Sequence, residues 1–355
     1  MSVDYSLSCY FRTTQVARVQ RQRDCAGKQC DLSSSCSLCV RVVSESAVIV
    51  ASMTKPLDIG RLGLWTWTLD AQPMSKSLEA VNEIESLGYS TVWIPEAVGR
   101  EPFAHAGLLL GATKELIVGT GIASMQARSA ATMQAGQKTL TEAFPDRFLL
   151  GIGTSHGNMA KAIHKKVYER PYSTMVEYLD TMDSGMFMAA EPSTPTHRIL
   201  AALGPKMLKL AGERSDGAHP YFTTPDHTAV AREIMGAGPT LAPELAVIFE
   251  TDATKARTIA RQYMGTYTRL PNYANNLLRS GFTEADIKNE HGVQSDRLVD
   301  AICTWGTLDT IRKRIQEHYD AGASHVCVQV LTEDLVSLPS VEWRELATLI
   351  PEFKH

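Results

Sequence analysis

Beyond Arg61 the chain alternates short apolar runs with stretches whose apolar residues recur at helical spacing. Alternation of this kind predicts a parallel sheet covered by helices. The first run is Arg61–Trp67. Ser77–Leu87 follows as a helix, with Leu78, Val81, Ile84 and Leu87 in register and Gly88 placed to end it. Thr91–Pro95 is the second strand and Phe103–Thr113 a helix. Leu116–Ile122 is the third strand, Ala130–Ala143 a helix that stops before Pro145, and Arg147–Gly153 the fourth strand. The second half continues with a helix over Tyr172–Met188, a strand over Ile199–Leu203 and a helix over Lys206–Arg214. A short strand at Ala218–Phe222, a helix at His227–Met235 and a strand at Leu245–Glu250 come next. From Asp252 to Cys303 the pattern reads as several helices, too long for a plain connection. Leu308–Ala321 is a further helix, His325–Leu331 the last strand and Val341–Ile350 a closing helix. Eight parallel strands close a (β/α)8 or TIM barrel. An open doubly wound sheet of about five to seven strands shows the same alternation.

Residues 1–52 do not share this rhythm. They hold five of the seven cysteines (Cys9, Cys25, Cys30, Cys36 and Cys39), are rich in Ser and Arg, and carry only four acids. Cys36-x-x-Cys39 admits a zinc site, yet Cys25 and Cys30 lack the tight pair spacing of a ribbon. The basic, acid-poor composition admits a targeting segment, but a secretory signal needs an apolar stretch that residues 1–30 lack. The reading adopted is an unstructured extension, or upstream sequence ahead of a start at Met53. The barrel is then expected over 53–355.

Composition narrows the class. The chain is 44% hydrophobic and 21% charged with a net charge of -4, so no basic stripe marks a nucleic-acid partner. No apolar run is long enough to span a bilayer. A soluble cytoplasmic protein acting on a small molecule is expected.

In a barrel the chemistry sits at the C-terminal ends of the strands. Those ends are Trp65–Trp67, Glu96, Gly121–Ser124, Gly153–Gly157, Ala202–Pro205 and His219–Tyr221. Glu96 is an acid closing an apolar strand, and reads either as a cofactor or substrate contact or as an ordinary loop carboxylate. Gly153-Thr154-Ser155-His156-Gly157 fits G-x-S-x-G, the nucleophile elbow of hydrolases. It equally fits a loop whose backbone N–H groups and hydroxyls face a phosphate or a flavin edge. The hydrolase needs a helix directly after Gly157, and Asn158–Arg170 is polar, basic and cut by Pro171. It also needs an acid-supported histidine, and the sequence pairs none of its later histidines with an acid. Ser155 as a nucleophile is kept as the alternative. No H-x-x-x-H spacing is present, so no catalytic metal is expected. Trp65, Trp67 and Phe103 are placed either to wall a substrate pocket or to pack. Met125, Met133, Met182, Met186 and Met188 read as packing residues.

Several blocks together resemble the luciferase-like monooxygenase superfamily. They are PEAVGREPFAHAGLLLGATKELIVGTGIA, EAFPDRFLLGIGTSHGNM, ILAALGPKMLKLAGERSDGAHPYFTTPDHT, LPNYANNLLRSGFTEADI and CTWGTLDTIRKRIQEHYDAGASHVCVQVL. They span nearly all of Leu57–Leu331 in order, and their wording is similar to an actinobacterial branch that uses the deazaflavin coenzyme F420 rather than FMN. The resemblance implies the TIM barrel, with a helical insertion before the last strand and a flat flavin-like ring over the C-terminal mouth. It implies a non-prolyl cis peptide near Gly121–Ile122 beneath that ring. It puts Gly153, Thr154, Ser155 and His156 beside the ring, and Ala202, Leu203, Gly204 and Pro205 against the cofactor tail. Several deazaflavin-dependent relatives carry an Asp-His pair at the end of strand two, where this chain has Glu96-Ala97. With that imidazole absent, His156 is expected to move the proton, because imidazole titrates near neutrality. The expected activity is hydride transfer between F420 and a small organic substrate, by a homodimer. An FMN-dependent monooxygenase of the same fold is the alternative.

Overall fold

The computed structural model describes residues 56–165 and 168–353. The extension expected over 1–52 lies outside the described residues. The chain opens with β1 (Leu62–Trp65), α1 (Thr68–Ala71), α2 (Met74–Ser86), β2 (Thr91–Ile94), α3 (Pro102–Ala112), β3 (Ile117–Thr120) and β4 (Ala123–Ser124). Next come α4 (Ala130–Ala143), β5 (Phe148–Gly153), α5 (Gly157–Ala162), α6 (Pro171–Ser184), β6 (His197–Leu200), α7 (Pro205–Arg214), β7 (Gly217–Ala218) and α8 (Pro225–Met235). The last third holds β8 (Thr240–Leu241), β9 (Glu244–Ile248), α9 (Ala253–Tyr267), α10 (Pro271–Arg279), α11 (Glu284–Ile287) and α12 (Asp296–Ile302). It ends with β10 (Cys303–Trp305), α13 (Leu308–Asp320), β11 (Val326–Val330), α14 (Ser340–Ala347) and a 3-10 turn at Ile350–Phe353.

The strands hydrogen-bond in the order β10-β9-β11-β1-β2-β3-β5-β6-β7-β8, all pairings parallel. β8 and β9 are one stretch interrupted at Ala242-Pro243. Its first part pairs with β7 and its second with β11. Backbone bonds from Ala242 N to Ala218 O and from Cys327 N to Pro243 O fasten both sides. The sheet therefore returns on itself as the expected barrel. The staves are β1, β2, β3, β5, β6, β7, β8–β9 and β11.

Local chemistry sets where the helices begin. Glu101, Ser129, Thr224, Asp252 and Thr307 each accept a backbone N–H from the first turn of the helix that follows. Pro102, Pro171, Pro205, Pro225 and Pro271 stand at first helical positions, where no N–H is needed. Outward strand residues and inner helix faces form one core, with Leu64, Val92, Val118, Leu150 and Leu200 meeting Ile84, Leu109, Met133 and Leu179. Trp65, Trp93, Ile117, Leu149, Ile199, Ala242 and Cys327 form a second cluster inside the barrel. A third joins the insertion α9–α12 to Phe222, Ala246 and Ile248.

Three expectations need correction. β10 starts at Cys303, the last residue of the stretch predicted as helices, and runs on through Thr304 and Trp305, for which the pattern predicted no element. Its three residues end at Trp305, just before Gly306, and are too few for a periodic signal, and β10 pairs on the far side of β9 rather than in the ring. The helix predicted over Tyr172–Met188 ends at Ser184, so Met186 and Met188 are 84% and 87% exposed and do not pack. The third strand stops at Thr120 and resumes as β4, with a cis peptide at Gly121–Ile122 between the two.

Candidate active site

At the C-terminal ends of β5 and β6 a cavity of 310 Å³ opens between the barrel rim and the insertion. Its barrel side is formed by Ile122, the loop Gly153–His156 and the loop Ala201–Gly204, with Met207, His219 and Tyr221. Tyr168 and Pro171 close one side, and Asn272, Tyr273, Asn275 and Arg279 of α10 close the other.

The position of Ile122 explains much of this shape. A β-carbon on Gly153 would come within 2.4 Å of the Ile122 side chain, so glycine there lets Ile122 cross the mouth of the barrel. The bulge carrying Ile122 is tied on several sides. Trp65 Nε1 donates to Gly121 O (3.1 Å), and Gly121 N donates to Ile94 O (2.7 Å). Ser124 N donates to Glu96 Oε2 (2.6 Å), and Met125 N donates to Gly153 O (3.0 Å). The Glu96 carboxylate is gripped in turn by both Arg128 amino groups, at 2.8 and 2.6 Å. Such a two-pronged pair is strong and directional. Burial works against the charge on Arg128, and the adjoining Glu96 carboxylate outweighs it, holding the guanidinium above its usual range.

His156 stands on the loop after β5. Its Nδ1 lies 3.2 Å from Asn272 Oδ1, and its ring packs 5.5 Å from that of Tyr273. Burial lowers its pKa, and the hydrogen bond to Asn272 opposes that only in part. With Asn272 Oδ1 as acceptor, His156 Nδ1 carries the hydrogen and Nε2 a lone pair. The ring is then arranged as a base. Ser155 beside it has φ 62°, a left-handed conformation.

Beneath the mouth the histidines are enclosed. His219 Nδ1 donates to Ala242 O (2.7 Å), and its ring stacks on Trp93 at 4.5 Å. Trp93 Nε1 donates to His325 Nε2 (3.2 Å), whose Nδ1 donates to Gly60 O (2.9 Å). Burial pushes His219 and His325 down to about 4, so both are neutral at pH 7. Gly119 permits the flat Trp93, since a β-carbon there would meet its ring at 2.8 Å.

The far end of the cavity is polar. The N-terminus of α7 follows Gly204 and has no side-chain cap. The Arg279 guanidinium reaches across to it, 3.8 Å from where a β-carbon on Gly204 would stand. His227 Nε2 donates to Leu203 O (2.9 Å) and fixes the loop before α7. The positive end of the helix and a guanidinium together form a setting for an anion.

Of the residues singled out by sequence, Ile122, Gly153, Thr154, Ser155, His156, Ala202, Leu203 and Gly204 line the cavity. Gly121 and Pro205 adjoin it. Glu96, Trp65, Trp67 and Phe103 do not line it. Phe103 lies behind the wall, 5.9 Å from Phe148 and in a notch left by Gly136. The α10 residues were missed. Their signal is Asn272, Asn275 and Arg279 at helical spacing on one face of a segment opened by Pro271. The hydrolase alternative finds no support. A short helix does follow Gly157, but His156 is partnered by an amide rather than a carboxylate, and no hydrogen bond joins it to Ser155. Among the described residues no group of His, Cys, Asp or Glu could hold a metal ion. No helix among them is long and apolar enough to cross a membrane.

Residues 62–325 match the model of the luciferase-like monooxygenase family, and the chain belongs to that family. A protein of Mycobacterium tuberculosis, named as a coenzyme F420-dependent oxidoreductase, is 22% identical over 82% of this chain and 99% of its own. A 5,10-methylenetetrahydromethanopterin reductase of Methanolobus tindarius is 26% identical over 72% of this chain and 90% of its own. An F420-dependent secondary alcohol dehydrogenase, solved with an F420-acetone adduct, superposes with a TM-score of 0.67 at 16% identity. It covers 83% of this chain and 99% of its own. The oxygenating constituent of 3,6-diketocamphane monooxygenase from Pseudomonas putida, solved with FMN, superposes at 0.61 with 14% identity over 83% and 98%. The protein is an enzyme of the luciferase-like oxidoreductase class.

Proposed function

We propose that the cavity binds coenzyme F420 and that the enzyme transfers hydride between this coenzyme and a small organic substrate. The observation that carries the reading is the shape and chemistry of the cavity. A slot floored by Ile122 and flanked by Gly153 suits the face of a flat heterocycle. The uncapped α7 with Arg279 at its far end suits the phosphate of the side chain. When bound, the deazaflavin supplies a carbon centre, C5, that gives or takes hydride. The protein's share is position, exclusion of water and proton handling. His156, through Nε2, takes up or returns the proton that accompanies hydride transfer. Glu96 and Trp65 act behind the wall by fixing the bulge that carries Ile122. The Mycobacterium tuberculosis relative, whose name specifies F420, supports this choice of coenzyme.

FMN is the second reading, because it also joins a flat ring to a phosphate and a structural neighbour holds it. Titration of the purified protein with F420 and with FMN decides between them. Tight F420 binding and no oxygen consumption by the reduced complex in air is expected. Preferential FMN binding with oxygen consumption would overturn the choice. His156→Ala is expected to lower turnover by about 100-fold with F420 affinity retained. Unchanged turnover removes His156 from the chemistry. The assembly is taken to be a homodimer, and a monomer in sedimentation equilibrium would refute that.

A further inference from the structure

A second cavity, of 530 Å³, lies within the insertion, between the end of α9 and the loop that joins α11 to α12. It shares no lining residue with the cavity at the barrel rim. Its lining holds three cations, Arg261, Arg269 and Lys288, and no carboxylate. Hydrogen bonds build its walls. Asn289 N donates to Val293 O (2.9 Å) and Gly292 N to Asn289 O (2.9 Å), which closes the loop and puts Lys288 and Gln294 into one wall. Gln294 is buried, and its Nε2 donates to Thr268 Oγ1 (2.9 Å) at the end of α9. Arg261 is fixed by its Nε, which donates to Gln294 O (3.0 Å), and by a pairing with Asp296, a carboxylate that Arg257 also holds at 2.7 Å. Arg269 and Lys288 form no salt bridge among the described residues. Asp286, beside Ile287 of the wall, is taken by Arg297 (2.8 Å) and Ser295 (2.7 Å).

We propose that this pocket binds a small organic phosphate, at a site separate from the coenzyme cavity. Cations gathered on one concave surface repel one another, and their fields add inside the hollow. The ligand that relieves the repulsion is a multiply charged anion. A phosphate monoester carries nearly two negative charges at neutral pH, since its second pKa is about 6. Its oxygens match the fork of a guanidinium, which Arg261 and Arg269 supply, while Lys288 adds a point charge. Ile287 and Val293 give the same pocket an apolar side for the organic body of the ligand. The volume lies within the range of about 300–1,000 Å³ usual for small-molecule sites. The site does not depend on which coenzyme the barrel rim holds, or on whether it holds one.

Calorimetric titration of the full chain with phenyl phosphate, in about 0.15 M sodium chloride to screen unspecific attraction, tests the site. Arg279→Ala first removes the guanidinium at the anion end of the rim cavity, and this protein should still bind one phenyl phosphate per chain. Reversing the two unpaired cations in that background, Arg269→Glu with Lys288→Glu, should weaken binding by at least about tenfold. Both side chains are exposed, so the thermal melt of the reversed protein should match that of Arg279→Ala. Inorganic phosphate should bind at least about threefold more weakly than phenyl phosphate, because it has no ring to lay against Ile287 and Val293. No binding to Arg279→Ala, binding unmoved by the charge reversal, or equal affinity for inorganic phosphate overturns the proposal.

Discussion

The two halves of the barrel rim spend their strand ends differently. At the ends of β1 and β2, Trp65 and Glu96 are consumed by internal contacts: one holds Gly121 O, and the other is clasped by Arg128 and Ser124. At the ends of β5 and β6 the loops present backbone, small side chains and His156 to a cavity, and α10 completes it from above. One half braces and the other receives. A carboxylate or indole at a strand end is thus no sign of chemistry until its hydrogen bonds have been counted.

Substitutions can break this division. The largest effect is expected for Glu96→Ala. It leaves the Arg128 guanidinium enclosed beside Phe103 without its main partner and should cost about 3–5 kcal/mol in urea denaturation. A drop of under about 1 kcal/mol would show that the pair is not a brace. Arg279→Ala on the receiving half should do the opposite. Stability stays within about 0.5 kcal/mol, while F420 affinity falls by about 10- to 100-fold in a fluorescence titration. Equal affinities in the two proteins would remove the anion end of the site.

The pH dependence of stability sharpens the comparison further. His219, His318 and His325 have folded pKa values lowered to about 4, 3 and 4, against 6.5 when exposed. Above pH 6.5 they cost nothing. As pH falls from 6.5 toward 4 the unfolded chain binds protons that the folded chain refuses, and stability is lost at up to about 1.4 kcal/mol per pH unit for each histidine. Glu244 runs the other way. Its pKa is raised from 4.5 to about 8, so it withdraws stability as pH rises across that window, and Glu244→Gln should abolish that part of the slope in thermal melts. A profile flat from pH 4 to 6.5 would mean that the enclosed histidines take up protons in the folded chain as readily as in the unfolded one. Smaller still, Phe103→Leu should cost about 1 kcal/mol and leave coenzyme affinity unchanged, because the ring packs behind the wall. The smallest change is expected for a chain begun at Met53, with unaltered F420 affinity.

Much of the barrel was legible because its signals are local. Alternating apolar runs such as Phe148–Gly153 and capped amphipathic stretches such as Ala130–Ala143 write their own secondary structure. The family resemblance put the cis bond at Gly121–Ile122, and the loops after β5 and β6 do line the cavity. Three-residue β10 left too short a trace to read, and the α10 wall could not be assigned from a helical face with no stated partner. The linear order of apolar, glycine and capping residues determined which segments become strands, helices and loops, since those preferences act over a few residues. Only the closed ring decided that Glu96 meets Arg128, that Phe103 turns away from the cavity, and that Glu244 lies among tyrosines. Those meetings join residues 19 to 45 positions apart, as with Tyr263 and Glu244 or Phe103 and Phe148, and such distances close only when the whole sheet curls.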